Sequence, residues 1–170
     1  LAASDMNTIK NVSNLFASEL NALGINSVLS VYANTNKDAN NLLTTYGADI
    51  SKAVATAGTV SQEYAKNNVI YIPDLSVSYN YQDDRTLEEI QSTDFKLIEA
   101  AIQNGASIIS LPLAVYSYLG GEYAFQNEAF IQDYLRKELG YNGVLMMDNS
   151  IFSTFVYDGT INTMAVYAIN

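Results

Sequence analysis

The sequence predicts an α/β domain of βα repeats around a parallel sheet, and three observations predict it. Short apolar runs rich in β-branched residues recur at 25–33 (INSVLSVYA), 69–72 (VIYI), 107–113 (SIISLPL) and 144–147 (VLMM), spaced about 40 residues apart, the scale of a βαβ unit. Between them lie segments whose apolar residues repeat at helical spacing. Glycines stand where helices should stop, at Gly24, Gly105 and Gly140, the preferred residue just past a helix C-terminus.

The stretch 135–148, LRKELGYNGVLMMD, holds one whole unit of this design. Residues 136–139 read as a last helical turn, Gly140 as its cap, Asn142-Gly143 as a tight turn, and 144–147 as a strand buried on both faces. The strand ends on the carboxylate of Asp148. In α/β folds that end of a strand faces the ligand site.

Taken in order, residues 7–23 place Ile9, Val12, Phe16, Leu20 and Leu23 on one helical face, with Asp5 or Asn7 as the cap. The run 25–33 follows as a strand, then a polar loop (NTNKDANN). Residues 49–66 form an Ala-rich helix with Ile50, Val54, Ala57, Ser61 and Ala65 in step. The strand 69–72 is stopped by Pro73 and Asp74. A tyrosine-bearing acidic loop (SVSYNYQDDRTLEE) leads to a helix over 87–104, faced by Ile90, Leu97, Ile98, Ala101 and Ile102. The strand 107–113 runs into a second aromatic loop (AVYSYLGGEY) and a helix over about 127–139. A last helix is expected at 161–170. No linker interrupts these units, so residues 1–170 are expected to form one α/β domain, with repeated right-handed crossovers suiting part of a barrel or a doubly wound sheet.

Composition narrows the chemistry. The 18 acidic against 8 basic residues give a net charge of −10, which disfavours nucleic acid and anionic membranes as partners. There is no cysteine and no histidine, so the chain lacks a thiolate ligand, a disulfide framework and the commonest general base and metal ligand. No metal or cofactor is expected. No apolar run approaches the ~20 residues of a membrane span. The chain opens directly in helix-like sequence, as an internal segment of a longer polypeptide would. Its Asn- and Tyr-rich, Cys-free composition suits an extracellular or surface location.

Each candidate site residue has two readings. Asp148 is either a site carboxylate or a cap accepting backbone N–H bonds. Asp74, after a proline, is a weak acid candidate whose simpler role is turn chemistry. Asp83, Asp84, Glu88 and Glu89 could attract a hard cation, but they lack the spacing of a known cation loop and also suit a solvated helix start. Tyr79, Tyr81, Tyr116, Tyr118 and Tyr123 lie in loops at strand C-terminal ends, where a sugar ring can stack or where tyrosine serves as amphipathic loop filling.

Several segments carry a resemblance. ELNALGINSVLSVYANTN (19–36) is similar to the part of family 3 glycoside hydrolases where a helix ending in ALGIN precedes the third barrel strand. TTYGADISKAVATAG (44–58) resembles the family stretch in which Arg-Ser-Phe-Gly leads into a helix. FKLIEAAIQNGASIIS (95–110) looks like the helix and strand after the substrate loop, LRKELGYNGVLMMD like the approach to the nucleophile, and TMAVYAIN (163–170) like the helix after it. The nearest branch is the β-N-acetylglucosaminidase type. The resemblance implies a (β/α)8 barrel of TIM type, of which this chain would supply about strands three to six, and it matches Asp148 to the nucleophile of a retaining β-glycosidase.

It also implies departures. The acid of this branch is an Asp-His pair after the fourth strand, and the chain has no histidine. The family's sugar-binding Lys-His pair falls on Ile70 and Tyr71, its binding arginine on Thr44 and its binding aspartate on about Tyr32. Each lost polar contact leaves sugar hydroxyls unpaired at ~1–3 kcal/mol. The expectation is therefore a catalytically degenerate barrel segment that binds glycan or cell-wall saccharide, or serves as a scaffold. The alternative is an active β-glycosidase using Asp148. The open sheet edges are expected to be covered by remaining barrel chain or by a second copy.

Overall fold

A computed structural model describes residues 5–29, 46, 49–74, 82–111 and 115–147, with the backbone alone described at 82 and 83. Helix α1 spans Met6–Ala22 and is capped by Asp5, whose carboxylate accepts from the N–H groups of Asn7 and Thr8. Strand β1 is Ser27–Leu29. Helix α2, Ile50–Lys66, starts on Asp49, which accepts from Lys52 N–H, and leads to β2, Ile70–Ile72. After β3, Gln82–Asp83, come α3, Leu87–Ser92, α4, Asp94–Gln103, and β4, Ile108–Leu111. Strands β5, Val115–Tyr116, and β6, Glu122–Tyr123, flank a 3₁₀ turn over Ser117–Leu119. Helix α5, Ala129–Glu138, and β7, Val144–Met147, complete the described residues.

The alternation of helix and strand produces the predicted parallel sheet. β1 pairs with β2 and β4 with β7, both in parallel, in the registers Ser27↔Ile70 to Leu29↔Ile72 and Ile108↔Val144 to Leu111↔Met147. The two pairs meet where Asp74 pairs in parallel with Ser110 and Ser110 N–H donates to the carbonyl of Pro73 at 3.1 Å. The strand order is thus β1-β2-β4-β7, the sequential order of adjacent barrel strands. At this seam Pro73 accepts a backbone bond but has no N–H to return one.

The core lies between sheet and helices. Phe95, Leu97, Ile98, Ile109, Leu111, Phe130 and Leu135 are buried together, and Ile9, Val60 and Tyr71 form a smaller group between α1, α2 and β2. Helix positions differ from the periodicity in two places. On α1 the buried residues are Ile9, Ser13 and Ala17, while Phe16 and Leu23 are exposed. Small residues there let α1 approach α2 closely, so packing distance outweighs side-chain size. On α2 the buried set is Ala53, Thr56, Gly58, Val60 and Glu63, since this helix is held between α1 and α4. A Cβ at Gly58 would sit 3.1 Å from the Asn104 side chain.

The helix expected over 87–104 is two helices. Thr86 opens α3 with a reciprocal capping box to Glu89. The chain then breaks at Thr93 (φ −125°, ψ −77°), where the Thr93 hydroxyl donates to Glu89 O at 2.7 Å and Asp94 turns inward to Arg85 at 2.6 Å. Side-chain bonds to backbone compete with helix continuation, as Thr and Asp do most readily. Helix α5 is wound with i→i+5 bonds, closing with Leu139 N–H on Tyr134 O at 2.9 Å. Phe130 and Leu135 are both buried, and this winding stacks them one turn apart. In an ordinary α-helix they would point about 140° apart.

Candidate functional site

The sequence assigns the candidate site to the C-terminal ends of the parallel strands. Its approach through 135–147 has the expected helix end, glycine cap, turn and strand and is heavily tied. The strand is not buried on both faces: Val144 is 60% exposed, because only one face of β7 is covered by helices among the described residues. Gly140 takes a left-handed φ of 64° after the C-cap Leu139, the conformation that favours glycine there. The Arg136 guanidinium donates to the carbonyls of Tyr141 at 2.7 Å and Gly143 at 2.8 Å and lies over the Tyr141 ring at 5.5 Å. A Cβ at Gly143 would collide with Ser107 O at 2.5 Å and with the Tyr141 ring, so only glycine allows the chain to enter β7 this closely. Arg136 was not singled out from the sequence. Its position in the last helical turn, where a cation meets free carbonyls, was the available signal. Asp148 follows Met147 directly and lies outside the described residues, as do Tyr32, Thr44, Tyr79 and Tyr81.

Asp74 is buried at the C-terminal end of β2, paired with Ser110. Ser110 is fully buried and its hydroxyl has no hydrogen-bond partner. Tyr71 is turned to the helices, where it packs with Ile9 and Val60. Its ring meets Tyr64 edge-on at 5.4 Å and its hydroxyl shares a hydrogen bond with that of Tyr46. The neighbouring Ile70, on the opposite face, is exposed.

The described parts of the two aromatic loops are paired with each other. Gln82 and Asp83 pair in parallel with Val115 and Tyr116, and Val115–Tyr116 pairs antiparallel with Glu122–Tyr123. This small sheet was read from the sequence as loop. Gly120-Gly121 between two short aromatic runs was the hairpin signal, and both glycines take left-handed φ, 75° and 80°. The pairing buries Tyr116 and Tyr123 and sets Tyr118 against Phe95 at 6.3 Å and Tyr116 at 5.4 Å. Phe95 in turn stacks on Tyr134 at 4.3 Å. Of the acidic group, Glu89 belongs to the α3 cap and Asp84 accepts from Ser117 Oγ at 2.7 Å. Among the described residues no three His, Cys, Asp or Glu side chains gather as a metal site, and no helix is long and apolar enough to cross a membrane.

At the other end of the sheet, the N-terminal ends of β2 and β4 border a pocket of about 350 Å³ lined by Ser61, Asn68, Tyr71, Asn104 and Ser107 among others. No charged side chain lines it, and in barrels this end serves stability rather than chemistry.

Burial sets the phenols of this region. Desolvation, then the Glu99 carboxylate, holds Tyr134 well above its ordinary value of 10.0. Desolvation likewise raises Tyr64, with Tyr46 adding to it, and raises Tyr141 against the opposing pull of Arg136. A phenol whose folded pKa exceeds its unfolded one contributes stability below the unfolded value and loses it as pH rises through the folded one. Denaturant midpoints should therefore stay level from pH 7 to 9 and fall above about pH 10. Tyr134→Phe should flatten that fall. An unchanged alkaline slope in Tyr134→Phe would show that this phenol does not carry it.

Comparison with known proteins fits this architecture. No family model matches the chain. The β-hexosaminidase of Stenotrophomonas maltophilia strain K279a is 34% identical over 67 residues, 39% of this chain and 20% of that protein. That of Methylobacillus flagellatus is 28% identical over 88 residues, 52% of this chain and 25% of its own length. Among solved structures, the β-N-acetylhexosaminidase of Beutenbergia cavernae superposes with a TM-score of 0.83 at 21% identity, covering 99% of this chain and 55% of that one. The β-N-acetylglucosaminidase of Thermotoga maritima gives 0.83 at 15% identity, covering 99% and 38%. The chain thus spans about half or less of the length of these proteins. It has the fold of part of the family 3 glycoside hydrolase barrel domain and shares part of its sequence with β-hexosaminidases.

Proposed function

We propose that this β-hexosaminidase-like domain has lost hydrolysis and keeps a carbohydrate-binding or scaffold role. The observation that carries this reading is the state of Tyr71. It stands at a position the resemblance matches to a sugar-binding histidine, and it is spent on the helix-side core and on Tyr46. Ile70 beside it offers no polar atom to a sugar hydroxyl. The chain has no histidine to complete the family's acid pair, and retaining hydrolysis needs a proton donor as well as a nucleophile. The ligand class is a glycan or cell-wall saccharide. Tyr116 is buried, so stacking would fall to Tyr118 and to the loop tyrosines Tyr32, Tyr79 and Tyr81. Further barrel strands, from the same polypeptide or a second copy, complete the sheet.

The test is turnover of a chromogenic β-N-acetylglucosaminide and a β-glucoside, with Asp148→Asn as the control. We expect none, together with glycan affinity that falls in the Tyr79→Ala/Tyr81→Ala double variant. Turnover abolished by Asp148→Asn would overturn the reading and favour the second one, an active retaining β-glycosidase. One observation favours that alternative: Asp74 places a buried carboxyl at the same end of the sheet as the strand leading to Asp148. In that case Asp74→Asn should also abolish turnover, and full activity in Asp74→Asn would send the acid elsewhere.

A further inference from the structure

We propose that Asn142 is a site of self-modification: in the folded chain the Gly143 nitrogen attacks its side-chain amide and converts it to aspartate or isoaspartate. The fold shields the matching pair Asn104-Gly105 from the same reaction. The reaction is independent of whether the sheet binds or hydrolyses sugar.

The sequence holds two Asn-Gly pairs, 104–105 and 142–143. Asparagine is among the thermolabile residues, and a following glycine, with no side chain, leaves its nitrogen open to approach. The Gly143 nitrogen forms a bond to Asn142 Cγ. The Cγ–Nδ2 bond breaks, and the Gly143 proton leaves with that nitrogen as ammonia. Water then opens the five-membered imide at one of its two carbonyls, giving an isoaspartyl or an aspartyl residue. As sequence, the two pairs are equals.

The tertiary structure separates them. Asn104 is half-buried at the C-cap of α4. Its Nδ2 donates to Ala100 O at 2.8 Å, and its Oδ1 accepts from Gln62 Nε2 at 3.3 Å. The Gly105 N–H, which would have to attack, donates to Ile102 O at 2.9 Å. Asn142 is exposed, and its side chain makes one bond among the described residues, from Nδ2 to Gly140 O at 3.3 Å. The Gly143 N–H donates to no acceptor among the described residues. At 104–105 both the amide and the attacking nitrogen are held. At 142–143 the nitrogen is free and the amide is tied by a single long bond.

The product falls inside a tied turn. Arg136 donates to Tyr141 O and Gly143 O, on either side of Asn142, and the bond from Val144 N–H to Ser107 O starts β7. An isoaspartyl link carries the main chain through the side chain and adds one carbon between those two carbonyls. It lengthens the span that Arg136 bridges and loosens the entry to β7, the strand that leads to Asp148.

Peptide mass mapping of the intact chain, held at mildly alkaline pH, follows the exchange of NH2 for OH at each pair. Asn142 should convert at least about tenfold faster than Asn104, whose reaction must await local opening of its hydrogen bonds. In concentrated urea the two should convert at comparable rates. Asn142→Gln, which would need a six-membered ring, should stay unmodified. Equal rates in the folded chain, or a folded Asn142 that stays intact over the time in which urea converts it, overturn the proposal. The isoaspartyl form should also unfold at lower urea than Asn142→Asp, which carries the same charge on an unlengthened chain. Equal midpoints overturn the loosening of β7.

Discussion

Ile109→Ala should lower the unfolding free energy by about 3–4 kcal/mol, a large part of the ~5–15 kcal/mol that holds a domain together. Ile109 is 0% exposed at the middle of β4, flanked by β7 on one side and, through Ser110, by β2 on the other. It sits in the same buried cluster as Phe95, Leu97 and Ile98 of α4 and as Phe130 and Leu135 of α5. Two helices and two neighbouring strands must collapse together to fill the space it leaves, so the cavity term is retained. Ile109→Val removes one methylene and should cost about 1 kcal/mol. Leu15→Ala, on an exposed position of α1, should change stability by less than about 0.5 kcal/mol. Urea midpoints of the three variants check the ranking. A cost below about 1 kcal/mol for Ile109→Ala would mean that the sheet and helices are not packed as described.

Arg85→Ala should cost about 2–3 kcal/mol, out of proportion to a surface residue. Its guanidinium forks onto Asp94, with Nη2 to Oδ2 at 2.6 Å and Nη1 to Oδ1 at 3.3 Å, and Nη1 also reaches Thr93 Oγ1 at 3.3 Å. The Asp94 side chain is only 5% exposed, against 33% for Arg85. Removing the arginine leaves the carboxylate buried without its guanidinium, which is the expensive half of breaking a buried pair. Arg85's own exposure screens part of the interaction and sets the figure below that of a fully buried pair. Asp94→Asn should cost less than Arg85→Ala, since an amide carries no charge to desolvate. Arg85→Lys should rescue little, because a single ammonium cannot fork. A double-mutant cycle with Asp94→Ala isolates the pair, and a coupling near zero would refute it. This pair lies at the break between α3 and α4, and Arg85 stands two residues after the strip Gln82–Asp83 that pairs with Val115–Tyr116.

Much of the fold was legible because it is local. The strand runs, the glycine stops at Gly24, Gly105 and Gly140, and the turn into β7 follow from backbone preference and from apolar runs that suit a sheet covered by helices. Those signals are strong wherever few neighbours compete. The resemblance over 135–148 was legible for the same reason, since capping, turn and strand are written in consecutive residues.

What the sequence alone determined is therefore the order of helices and strands, their parallel arrangement, the family likeness and the missing histidine. Only the tertiary structure decided which face of each element is buried. Ser13 and Ala17 displaced Phe16 on α1 because two helices came close, and Gly58 is buried on α2 beside the Asn104 side chain at the end of α4. It also decided that Tyr71 serves the helix layer, that Thr93 splits a helix, and that Tyr116 and Tyr123 are drawn inward by a small sheet between distant loops. These outcomes depend on partners far away along the chain, and the energy of a side chain is set by what it finally touches.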